Sequence, residues 1–295
     1  MARYRRVRRR HVEDRRGQTG GPPAGGGGLG GLGGLPVGKI SLPILLIIVV
    51  FAVCQGGLPD LGSSAVEQAP SGPAAQPTRD DEYERINSIV ADIDDTWADR
   101  YETVDESYRT ANVVLFEGVT SSACGGARSE MGPHYCPLDE TIYLDLGFFD
   151  QLRRQFGARG EFAIDYVVAH EFAHHIQTVE GLNESVRNAQ QQNPDRANEL
   201  SIAMELQADC LAGVWVHDTL ADDAAGDPTD SVIIEPGDVA EAMQAAEAVG
   251  DDRIQETVTG RVNPESWTHG SSAQRVEWFN QGFDTGDPNA CDTFG

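Results

Sequence analysis

The sequence predicts an α+β body, mostly helical with a small β-sheet, preceded by a single transmembrane helix. Three observations predict it: one uncharged apolar run near the N-terminus, two short β-rich runs at 113–116 and 141–146, and long stretches of helical periodicity after them. Charge divides the chain in the same way. Of 22 Lys+Arg and 47 Asp+Glu, the first 53 residues hold Arg3, Arg5, Arg6, Arg8, Arg9, Arg10, Arg15, Arg16 and Lys39 against only Glu13 and Asp14. A basic tail is thus joined to a strongly acidic body. The tail has no aromatic residue beyond Tyr4 and runs into a hydrophobic stretch, which argues against nucleic-acid binding and for a charge cluster flanking a membrane.

Residues 1–34 read as a basic, Gly-rich cytoplasmic tail, because the glycine-dominated stretch loses too much backbone entropy to pack. From Ile40 to Val53 there is no charge. With its flanks the run covers 35–58, long enough to cross a bilayer if Lys39 snorkels. A cleaved signal peptide fits less well, since its charged region would be unusually long, and Val53 before Cys54 disfavours lipidation. Arginines crowd the N-terminal flank, so the N-terminus is expected in the cytoplasm and the body outside it. Residues 59–80, rich in Pro, Gly, Ser and Ala, read as a stalk, and 81–295 as one domain.

Within and just before that domain, Tyr83, Ile86, Ile89, Val90, Ile93 and Trp97 fall at helical spacing and predict a helix over 79–100. VVLF at 113–116 and TIYLDL at 141–146 predict strands, the second expected to offer its edge to an extended substrate. Residues 161–179 predict one helix, Asn193-Pro194 the start of another running to about residue 220, and 238–249 and 271–281 two more.

The chemistry concentrates in His170-Glu171-Phe172-Ala173-His174, an HExxH pattern. Residues four apart share one helix face, so both imidazoles can reach one zinc ion while Glu171 lies to the side where a water would sit. Zinc lowers the pKa of such a water to about 7, and a glutamate can take its proton and pass it to a leaving amine. His175 is rotated by about 100° and points elsewhere. Glu205 and Asp209 form a carboxylate pair on the second long helix, flanked by Met204, Leu206, Ala208 and Leu211, and two such charges need compensation. Glu205 as third metal ligand, with Asp209 accepting an imidazole N–H, supplies it. His269 and Arg275 flank a helix start whose Ser271 and Ser272 are candidate caps. Each is a candidate donor to a developing oxyanion, or a support behind the metal ligands.

These residues resemble the bacterial neutral zinc metallopeptidases. The resemblance runs along nearly the whole chain: VEDRRG at 12–17, the Gly-rich stretch and apolar run, the ACGGARSEMGPHYCPLDETIYLDLGFF block at 123–149, HEFAHHIQ, ELQADCLAG and the closing CDTF at 291–294. It implies a zincin-like fold, peptidase activity on a peptide or protein substrate, the ligands His170, His174 and Glu205, the base Glu171 and the supporting carboxylate Asp209.

The four body cysteines allow three pairings. Export permits disulfides, and local pairing of Cys124 with Cys136 leaves Cys210 to Cys291. The expectation is therefore a membrane-anchored zinc metallopeptidase with its catalytic domain outside the cytoplasm. The alternative is a non-catalytic, zinc-stabilised module that holds peptides in the same cleft.

Overall fold

The computed structural model describes residues 3–4, 12–17, 78–128, 132–155, 162–225, 232–235 and 237–295. The span expected at 35–58 lies outside them; among the described residues no helix is long and apolar enough to cross a membrane. What they show is the expected α+β body, mostly helical with a small mixed sheet.

The body opens on α1 (Arg79–Thr103). Thr78 caps it with a reciprocal box: its side chain accepts from the Asp81 N–H while the Asp81 carboxylate accepts from the Thr78 N–H. The predicted apolar face is buried, from Tyr83 through Ile86, Ile89, Val90 and Ile93 to Trp97 and Tyr101.

The main sheet contains β2 (Val12–Asp14), β3 (Asn112–Phe116), β7 (Thr141–Asp145) and β6 (His134–Cys136), side by side in that order. β2, β3 and β7 run parallel, and β6 is antiparallel to β7. Residues 112–116 and 141–145 are continuous β-branched and aromatic runs because β3 and β7 are interior strands covered on both faces. This corrects one expectation: both edges of β7 are taken, so the edge left for an extended partner on that side is β6.

β2 falls in the segment read as a cytoplasmic tail, yet it adds to the body's sheet with Val12 opposite Val113, Glu13 opposite Val114 and Asp14 opposite Leu115. β1 (Arg3–Tyr4) likewise pairs with β8 (Val232–Ile233). A separate hairpin joins β4 (Val119–Ser122) to β5 (Gly125–Arg128).

The helical part holds α2 (Leu146–Gln155), α3 (Phe162–Val179), α4 (Leu182–Gln192), α5 (Ala197–Ala225), α6 (Asp238–Ala248), α7 (Asp251–Thr259) and α8 (Ser272–Thr285). α3 is buried on nearly every side, as its apolar composition requires. α5 packs along α8 with glycine at both contact points: a Cβ on Gly213 would run into the Phe279 carbonyl, and one on Gly282 into the Cys210 carbonyl. Both expected disulfides are present, Cys124–Cys136 and Cys210–Cys291. By loop length they constrain the unfolded chain by about 3 and about 4.5 kcal/mol.

Candidate metal centre

α3 carries His170 and His174 one turn apart, and α5 brings Glu205 across from them. One ligand atom from each of the three lies within 4.8 Å of the others. His170 Nε2 is 3.1 Å from Glu205 Oε2, and His174 Nε2 is 3.7 Å from Glu205 Oε1. Zinc bonds of about 2.0–2.1 Å in tetrahedral geometry put ligand atoms about 3.3 Å apart, and the two histidine–Glu205 distances lie on either side of that value. The donor set fits as well: two imidazoles and one carboxylate leave a fourth position open.

The back of the cluster is built with equal care. His170 Nδ1 is 2.9 Å from Asp209 Oδ1, and Asp209 is wholly buried. Arg275 clamps the same carboxylate, Nε to Oδ2 at 2.8 Å and Nη2 to Oδ1 at 2.9 Å, and the Tyr166 hydroxyl donates to Oδ1. Burial opposes the Asp209 charge, but the Arg275 and His170 charges outweigh it and hold the carboxyl below its ordinary range. Burial pushes the Tyr166 phenol well above its ordinary value, so its hydroxyl stays a donor. With Asp209 as acceptor, His170 donates through Nδ1, which leaves Nε2, on the Glu205 side, as the atom it can offer to a metal.

In the absence of metal, burial works against a charge on His170, yet the Asp209 charge and the bonds to Asp209 and Glu205 prevail and raise its pKa to about 9. Glu205 is held well below its ordinary value, where burial is overcome by the charges of His174, His269 and His170. His174 is supported by a neutral group: its Nδ1 is 2.9 Å from Gln177 Oε1, and the Gln177 amide donates to the Met204 carbonyl at 2.8 Å and to Gln207 Oε1 at 3.0 Å.

His269 approaches from the loop before α8. Asp251 gathers that loop, accepting from the backbone N–H groups of Thr268 and His269 at 2.7 Å and of Gly270 at 3.1 Å, while its Oδ1 lies 3.2 Å from His269 Nδ1. The turn passes through Gly270 at φ 90°, a conformation that favours glycine. Burial opposes a proton on His269, but Glu205 and Asp251 outweigh it and raise the pKa. Ser271 then caps α8 in a reciprocal box with Gln274, which aims Arg275, one turn further on, at Asp209.

Of the singled-out residues, His170, His174 and Glu205 form the cluster, Asp209 and Arg275 lie behind His170, and Glu171 follows His170 on α3. Arg275 is 4% exposed and its donors end on Asp209, Tyr166 and the Val249 carbonyl. Of the two roles open to it, the geometry fits the support of Asp209. His175 turns away as expected: its Nε2 donates to the Arg109 carbonyl at 2.5 Å and its Nδ1 accepts from the Tyr135 hydroxyl at 3.1 Å, tying α3 to β6. Sequence reasoning missed Tyr166, Gln177 and Asp251. Tyr166 stands four residues before His170 and Gln177 three after His174, spacings that put each beside its histidine on the helix.

This cluster lies within a chain whose residues 1–294 match the profile of a family described as "Putative neutral zinc metallopeptidase". The chain belongs to that family. It is similar to "Uncharacterized protein YpfJ" of Escherichia coli (strain K12), 42% identical over 290 residues that cover 97% of this chain and 96% of that protein. "Uncharacterized protein Rv2575" of Mycobacterium tuberculosis (strain ATCC 25618 / H37Rv) is 49% identical over 193 residues, 63% of each chain. No solved structure matches this chain. Family membership supports a zinc peptidase, and the donor set agrees with the metal that the family's description names.

Proposed function

We propose that this chain hydrolyses peptide bonds, with zinc held by His170, His174 and Glu205 and with Glu171 as the general base. One observation carries the reading: three ligand atoms converge within 4.8 Å on a helix pair whose rear is hydrogen-bonded through Asp209, and Glu171 follows His170 directly on the helix that supplies two of them. Zinc bound there supplies Lewis acidity and makes water nucleophilic near neutral pH.

The chain's own residues divide the remaining work. Glu171 follows His170 on α3, displaced by about 100° around the helix, and takes the proton of the attacking water and returns it to the leaving nitrogen. His269, pinned through Nδ1 by Asp251 and inclined to stay protonated, donates to the oxygen on which negative charge develops. Arg275 and Tyr166 hold Asp209, and through it the tautomer of His170. The edge of β6 offers backbone groups to an extended peptide. The arrangement is zincin-like in its logic, a paired-histidine helix beside a sheet edge. The two disulfides favour an oxidising compartment outside the cytoplasm, and the apolar run at 40–53 favours attachment to the membrane.

The test is hydrolysis of a broad peptide library by the purified chain with and without chelator, beside Glu171→Gln. Hydrolysis that chelator abolishes and zinc restores is expected. Glu171→Gln is expected to keep stoichiometric zinc and lose activity by about 10²–10⁴-fold. Zinc-dependent peptide binding without any cleavage would instead favour the non-catalytic peptide-holding module.

A further inference from the structure

The segment VEDRRG is built into the catalytic body at every residue from 12 to 16. Val12 is buried at 4% exposure and its carbonyl accepts from the Tyr83 hydroxyl at 3.1 Å. β2 pairs with β3 along its length, and the Arg15 N–H extends the ladder to the Leu115 carbonyl at 2.8 Å. Arg15 lies 3.5 Å from the Thr120 hydroxyl. Arg16 donates to the Arg79 carbonyl at 2.5 Å, pairs with Asp80 at 3.2 Å and lies 5.2 Å over the Tyr83 ring. Further upstream, the Tyr4 hydroxyl donates to Asp165 at 2.5 Å on the first turn of α3, the helix that carries the metal ligands.

The chain therefore leaves the body at Gly17 and re-enters it at Thr78, and Arg16 bridges the two points directly. A single crossing between them would put β2 on one side of a bilayer and β3 on the other, where strand pairing, the Tyr83 bond and the Arg16 bridge are all unavailable.

We infer that the N-terminal strand and the body share one side of any membrane the chain meets, so that the chain between Gly17 and Thr78 does not make a single crossing. This holds or fails apart from the peptide-bond chemistry, since it rests on strand pairing and not on the metal cluster. The N-terminal segment is then a structural strand of the body.

The test uses the full chain in its native membrane, in a Cys54→Ser background in which the remaining cysteines are paired. Single thiols are introduced before the apolar run, as Thr19→Cys, and on the exposed body surface, as Ser107→Cys. A membrane-impermeant maleimide is applied to intact and to permeabilised cells. The same accessibility at both positions is expected, and labelling of one position alone in intact cells overturns the inference. Two variants read the strand itself: Val12→Asp is expected to lower the Tm of the detergent-solubilised chain by at least about 5 °C, and the milder Tyr4→Phe by less. An unchanged Tm in both overturns the inference, because a tail across the membrane contributes nothing to the body.

Discussion

His170 and His174 stand one turn apart on α3 and face the same glutamate, yet the nitrogen behind each ring is held by chemistry of different strength. Behind His170 lies a wholly buried carboxylate that also receives an arginine fork and a phenol. Behind His174 lies the oxygen of Gln177, a neutral amide bonded onward to the Met204 carbonyl and Gln207. A carboxylate fixes the imidazole tautomer and raises its basicity, whereas an amide mainly orients the ring. The difference teaches that two residues can be equal as ligands and unequal in how much of the fold depends on their support.

Equality as ligands predicts the largest effects. His170→Ala, His174→Ala and Glu205→Ala are each expected to lose stoichiometric zinc and all hydrolysis; a variant that keeps its zinc in competition with a chelator removes that residue from the ligand set. Inequality of support predicts the next. Asp209→Asn is expected to weaken zinc by about 10–100-fold and, by leaving Arg275 buried without its partner, to cost about 3–5 kcal/mol of stability by denaturant titration. Adding Arg275→Met should recover much of that stability and none of the zinc affinity, a split that separates the two duties of Asp209. Gln177→Ala is expected to weaken zinc by less than about tenfold with little change in stability, and a loss as large as that of Asp209→Asn would erase the distinction drawn here.

A further effect is a pH dependence. Without metal, His170 holds its proton up to about pH 9, so zinc must displace it. Below that value each unit rise in pH frees tenfold more of the unprotonated ring, so apparent zinc affinity should climb about tenfold per pH unit and level off near pH 9. Calorimetry in buffers of different ionisation enthalpy should show one proton released at pH 7. Asp209→Asn, which removes the chief charge holding that proton, should shift the levelling point downward.

The helices and the candidate metal cluster were legible because they follow local rules. The 3.6 period marked α1, the i,i+4 spacing marked His170 and His174, and the acidic pair among apolar neighbours on α5 marked Glu205 and Asp209. What stayed hidden depends on contacts distant in sequence. β2 is a three-residue strand inside a charged stretch, and only β3, about a hundred residues on, makes it one. β6 is too short for alternation to show, so TIYLDL looked like a free edge. Asp251 meets His269 across a loop with no spacing signal. Arg275 was found as a residue of interest, but its burial behind Asp209, which turns it from substrate donor to support, is a property of packing alone.

The glycine contacts between α5 and α8 set a mechanical tolerance for the whole centre. Gly213 stands two turns beyond Glu205 on α5, and Gly282 two turns beyond Arg275 on α8, each roughly 10–12 Å from the residue it governs. A β-carbon at either point would act as a shim between two stiff rods, tilting α8 about the Cys210–Cys291 link and lifting the Arg275 fork from Asp209. Alignment of the metal ligands to within a fraction of an ångström is thus set partly by two positions that carry no functional group at all.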